Sequence, residues 1–158
     1  MNGKIYSIIL PATAVTTAID LCEIQPADDR PCRIVGWEIL QTTDVGDAAE
    51  EILPIQVIRG FTTSGSVGGT APTPRDINRT GATAGFTVEV MNTTVANTGT
   101  SHTLYEGGWN IRMSHVYWPD EQLMPQASQA DVTLVVRLPS APADALTIRG
   151  TVYVLEEA

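Results

Sequence analysis

The chain has 158 residues, 43% apolar and 17% charged, and its nine Lys and Arg against 18 Asp and Glu give a formal charge of −9. One domain fits that length, and the composition argues against a disordered chain, a membrane span and, because carboxylates repel phosphates, a nucleic-acid partner. No run of basic residues overrides the mean field, and beside the single lysine, Lys4, stand eight arginines, which suit planar pairing with carboxylates at protein interfaces.

In chain order, Lys4 to Leu10 reads as a first strand. Its apolar stretch, followed by Ala12-Thr13-Ala14, loosely imitates a secretory signal, but Ser7 and Pro11 interrupt it. Ala18 to Ile24 and Cys32 to Thr42 follow as strands around the turn-like run Gln25 to Pro31. A hairpin there places Cys22 across from Cys32. Two buried thiols are the simpler reading and a disulfide the alternative, and two cysteines with two histidines do not supply a Cys/His zinc site. Asp44 to Glu51 predicts a short helix capped by Asp44 or Asp47; its carboxylates with Glu50 are the material of a calcium site, but the spacing matches no EF-hand loop.

Ile52 to Thr62 predicts a strand with Leu53, Ile55 and Val57 on one face. Between Thr62 and Gly85, fifteen of 24 residues are Gly, Ser, Thr or Pro and Ile77 is the one large branched aliphatic beyond Val67. This long loop supplies little core and calls for a partner to order it. Phe86 to Met91 and Trp109 to Trp118 are further strands, the second with Trp109, Ile111 and Met113 in a stripe. Val132, Leu134, Val136 and Leu138 share a face opposite Thr133 and Arg137. In the last segment Leu146, Ile148, Val152 and Val154 alternate with Thr147, Arg149, Thr151 and Tyr153. These two are read as antiparallel strands joined by the proline-bearing link Pro139 to Asp144. About eight antiparallel strands, one short helix and one long loop at 62–85 predict a single all-β domain over 1–158, a jelly-roll-like β-sandwich.

Charge is uneven along the chain. Asp20 to Glu51 holds nine carboxylates against Arg30 and Arg33, whereas Ile52 to Val88 holds Arg59, Arg75 and Arg79 against Asp76. The long loop is locally basic in an acidic protein, a polarity suited to an acidic protein surface or to head-to-tail pairing of subunits.

No nucleophile elbow, zinc-helix motif, phosphate loop or dinucleotide fingerprint occurs. His102 lies in a Thr/Ser-rich loop and His115 on a strand, without a His-x-His pair, so both read as hydrogen-bonded or solvated. The expectation is a protein that is not an enzyme, with no catalytic residue, metal or other cofactor. Trp109, Tyr117 and Trp118 are the candidates for a carbohydrate platform, with Trp109 and Tyr117 on one parity; against this, Trp109 and Trp37 read as core. The sequons at Asn78 and Asn92 carry no inference without a secretory signal.

Several runs carry a resemblance: Glu23-Ile24-Gln25-Pro26-Ala27-Asp28-Asp29-Arg30-Pro31-Cys32, Asp44 to Glu51, Ile55 to Gly60 with Thr62 to Ser66, and Ala127 to Asp131 with Pro139 to Asp144. Through them the chain resembles small virion proteins of tailed bacteriophages, of the head decoration or cement kind. The resemblance implies a jelly-roll sandwich on the outer capsid surface, made in the bacterial host cytoplasm, forming a homotrimer and bridging major capsid protein subunits. Under it the capsid-contact candidates are Arg75, Ile77 and Arg79, with the first strand as a second candidate, and the subunit-interface candidates are Arg149 and Tyr153. The alternative is a carbohydrate- or receptor-binding jelly-roll module, such as a tail-fibre tip or glycosidase accessory domain.

Overall fold

The computed structural model describes residues 3–43, 50–65, 69–129 and 133–157. Eleven strands lie in them: β1 (Gly3–Val15), β2 (Ile19–Gln25), β3 (Cys32–Gln41), β4 (Ile52–Phe61), β5 (Arg75–Asp76), β6 (Thr87–Asn92), β7 (Gly99–Asn110), β8 (His115–Tyr117), β9 (Gln126–Ala127), β10 (Thr133–Leu138) and β11 (Leu146–Glu157), with a 3-10 turn at Glu121–Leu123. They form two antiparallel sheets. The first runs β5-β1-β11-β3-β8 with β9 also on β3, and the second runs β6-β2-β10-β4-β7. With the short β5 and β9 and the edge strand β6 set aside, eight strands remain. Counted along the chain, the first, eighth, third and sixth form one sheet and the second, seventh, fourth and fifth the other. This is the jelly-roll order, so the expected fold class holds.

Period-two alternation builds the core. Tyr6, Ile8 and Leu10 of β1, Ile34, Trp37 and Ile39 of β3, and Val152 and Val154 of β11 face Ile24 of β2, Leu53, Ile55 and Val57 of β4, and Leu134, Val136 and Leu138 of β10 in one buried cluster. Burying each such side chain stabilises by about 1.5–3 kcal/mol, and sheet pairing fixes which face each one takes.

Several expectations change. Trp109 to Trp118 is not one strand: Asn110 turns the chain, with Met113 N–H donating to Asn110 O at 3.0 Å and Arg112 N–H to Asn110 Oδ1 at 3.1 Å. Trp109 therefore ends β7 in the second sheet, Tyr117 lies in β8 of the first, and Met113 is exposed. The run Gly99 to Gly108 is strand, so His102 sits on β7 and not in a loop. Cys22 and Cys32 are free, buried and in opposite sheets, because the turn between them crosses the sandwich instead of forming a hairpin. β10 and β11 likewise belong to different sheets. The helix expected at Asp44 to Glu51 falls mostly on 44–49, outside the described residues.

The described parts of the long loop, 62–65 and 69–85, pair with strands of their own chain. Thr70 bridges Val90 at the β6 edge, and β5 pairs with β1 through Arg75↔Ser7 and Asp76↔Tyr6. From Thr70 to Asp76 it runs from the edge of the second sheet to the edge of the first.

Candidate docking surface

The outer faces of the two sheets differ. On the second sheet, Asp20 of β2 is fully buried and is paired with Arg137 of β10, whose Nη2 donates to Ala96 O at 2.6 Å while Asp20 Oδ2 accepts Ala96 N–H at 2.7 Å. The guanidinium also lies 4.7 Å above the Phe61 ring. Ala96, Ile58, Phe61 and Val135 form a second small apolar cluster there. The connection from β6 to β7 thus covers its own sheet.

On the first sheet, register puts Ser7, Tyr153 and Gly36 in one outer row, and Ile9, Thr151, Glu38 and Val116 in the next. Arg75 joins the first row beside Ser7, and Arg149 lies one row further, beside Leu40. Ile9, Val116, Trp118 and the rim residue Ile77, whose N–H bonds Ile5 O at 3.0 Å, are each at least half exposed. With strands about 4.8 Å apart and about 3.3 Å per residue, this face measures roughly 24 Å by 26 Å, on the order of the ~800 Å² that each partner gives a standard interface.

Trp118 lies on this face because Gly36 has no side chain. A Cβ on Gly36 would run into the Trp118 ring and the Tyr117 carbonyl. The indole tilts against Tyr153 instead, with ring centroids 5.2 Å apart at 35°. Tyr117 points inward, stacked on Trp37 at 4.1 Å, and Trp109 is buried with its Nε1–H donating to Met113 O at 2.6 Å. The three aromatic residues expected to form a sugar platform are therefore not on one face: Trp109 is buried, Tyr117 partly buried and Trp118 exposed.

Of the sequence-derived contact residues, Arg75, Ile77, Arg149 and Tyr153 come together on this one face with Trp118; Arg79 is exposed in the turn after β5, where Asp76 Oδ1 accepts its N–H at 3.1 Å. Among the described residues, neither Arg75 nor Arg149 has an ion-pair partner.

Two buried carboxylates that composition could only count as surface charge hold the loop that carries Arg75 and Ile77. Glu23 of β2 accepts Gly65 N–H at 3.2 Å and Asn92 Nδ2–H at 2.7 Å; Asn92 also donates to Glu89 at 3.1 Å, and the Ser64 hydroxyl donates to Glu89. Burial raises the Glu23 carboxyl above its ordinary value, against the Asn92 hydrogen bond that lowers it. Glu156 of β11 accepts Gly85 N–H at 2.6 Å, and the Tyr6 hydroxyl donates to Thr83 O at 3.1 Å.

Among the described residues, no group of three or more His, Cys, Asp or Glu side chains is placed to hold a metal ion, and no helix is long and apolar enough to cross a membrane. Compared with known proteins, the chain matches no family model, no curated protein and no solved structure at a significant level.

Proposed function

We propose that this chain is a structural protein of a phage virion that decorates the capsid and stabilises the mature shell by docking on major capsid protein subunits. The observation that carries this reading is the contrast between the two outer sheet faces. The second sheet is covered by the chain's own Ala96 around Ile58, Phe61 and Val135, with Ile52 and Leu104 exposed beyond that cover; the first leaves Ile9, Ile77, Val116 and Trp118 exposed beside Arg75 and Arg149. An apolar patch rimmed by guanidinium groups that have no ion-pair partner among the described residues fits a protein surface with apolar and acidic character. The resemblance of the sequence runs to head decoration proteins supplies the shell as that surface, and a homotrimer as the form that binds it.

Stabilisation then follows by mass action. A protein that binds only the assembled lattice favours that lattice over a ruptured one, and several weak contacts held in one oligomer add through effective concentration. The test is co-sedimentation of the purified protein with shells built from the capsid protein of the same phage. Retention on shells that weakens at least about tenfold in Trp118→Ala and in Arg149→Glu supports the reading, the first by loss of an aromatic anchor and the second by reversal of a rim charge. A protein that stays in the supernatant at every concentration overturns it.

A further inference from the structure

Among the described residues between Gly65 and Gly85 no large apolar side chain is buried: Ile77 is half exposed, and Ala84 packs partly on the core. What holds the described part of this segment is polar and sparse. Thr70 and Val90 exchange backbone hydrogen bonds of 3.0 and 2.8 Å, the two residues of β5 pair with Ser7 and Tyr6 of β1, the Ser7 hydroxyl donates to Arg75 O at 3.4 Å, Ile77 N–H bonds Ile5 O, and the Tyr6 hydroxyl bonds Thr83 O. At its two ends stand buried carboxylates on opposite sheets, Glu23 under Gly65 and Glu156 under Gly85. Both glycines are required by the fit, since a Cβ on Gly65 would run into Thr94 O and a Cβ on Gly85 into Glu156 and Arg30. A segment with few apolar contacts, tied to a well-packed sandwich at two points, has the makings of a separate opening unit.

We propose that Glu23 and Glu156 are positioning residues, two posts that hold Gly65 and Gly85 and thereby help β5 keep Arg75 and Ile77 at the outer face of the first sheet. The posts act on the backbone of Gly65 and Gly85 and touch no partner. The described part of the segment, β5 included, opens while β10 and β11 stay paired. The last step, that opening removes Arg75 and Ile77 from the docking face, rests on the docking reading above; the opening itself does not.

Hydrogen exchange of the whole chain, read at the Thr70 and Ile77 amides against the amides of β10 and β11, tests the posts without any shell present. Glu23→Gln, Glu156→Gln and Gly85→Ala are each expected to speed exchange at Thr70 and Ile77 by about tenfold or more while β10 and β11 keep their protection. Gly85→Ala leaves both carboxylates in place, so it keeps the test open where a carboxylate variant fails to fold. Wild-type exchange at Thr70 and Ile77 in every folded variant overturns the proposal. So does exchange there that rises only together with β10, because the segment then opens only with the whole domain. Shell co-sedimentation of the same variants separates the two readings: faster exchange with undiminished shell binding overturns the role in docking and leaves the posts, whereas unchanged exchange in a protein that binds shells overturns the posts and leaves the docking face.

Discussion

Trp37 donates its indole Nε1–H to Nδ1 of His115 at 2.9 Å, and the two rings stack with centroids 5.9 Å apart. The bond needs Nδ1 without a proton, and burial holds the His115 pKa below its ordinary value of 6.5. The unfolded chain therefore takes up a proton at this residue at higher pH than the folded chain does. The stability linked to His115 is present above about pH 6.5 and is lost as pH falls toward the folded value. Urea unfolding at pH 7.5 and at pH 5 is expected to show this loss in the wild type and a smaller one in His115→Gln; equal losses in the two proteins exclude His115 as the source.

The Asp20 and Arg137 pair gives a second prediction. Asp20 is fully buried and Arg137 nearly so, and removing one partner leaves the other charge covered and uncompensated. Asp20→Asn or Arg137→Met is expected to cost about 3–5 kcal/mol in urea unfolding, and a double replacement by apolar residues is expected to recover much of it. A loss under 1 kcal/mol in both single variants would show that the pair is solvated in solution.

Gly36→Ala is expected to push Trp118 off the outer face and to loosen β8, at an overpacking cost of about 1–3 kcal/mol. The Trp118 ring and the Tyr117 carbonyl both stand where the new methyl would go. Quenching of the exposed tryptophan by acrylamide reads the displacement. Trp118→Ala, which removes a half-exposed ring resting on Gly36 and Tyr153, is expected to lower the unfolding midpoint less than Gly36→Ala does while weakening shell retention.

Both thiols are buried, and burial pushes Cys32 up to about 12 and Cys22 up as well. Thiolate is the reactive form, so neither cysteine is expected to react with a disulfide reagent at pH 8 except through unfolding. The labelling rate should follow the denaturant dependence of unfolding, and dithiothreitol should not shift the melting temperature.

Much of the sandwich was legible in sequence because most strands have one buried face. Leu134, Val136 and Leu138 alternate for that reason, as do Leu53, Ile55 and Val57, and their register follows. The first half of β7 escaped because Gly99 to Leu104 is exposed on both faces and is held by backbone pairing to β4, so no apolar period exists to be read. Arg75, Ile77, Arg149 and Tyr153 were legible as surface residues, but their convergence on one face depends on β5 joining β1. That joining was hidden, since it hangs on polar contacts of a segment with no apolar pattern. Nor does composition distinguish Glu23 and Glu156 from the solvated carboxylates around them. The single strand expected from Trp109 to Trp118 failed on Asn110, whose side chain stabilises a turn that apolar spacing does not register.

The strand order has one more consequence, for the route by which the molecule reaches this shape. β1 and β3 do not touch as neighbours until β11 lies between them, with Gly3 opposite Glu157, and β2 and β4 are separated in the same way by β10. Nearly the whole polypeptide must be available before either sheet can close, and loop closure over such separations is entropically slow. Assembly is therefore governed by the C-terminal third of the chain, and a ribosome-bound intermediate lacking it would have four early strands with open edges and no common partner.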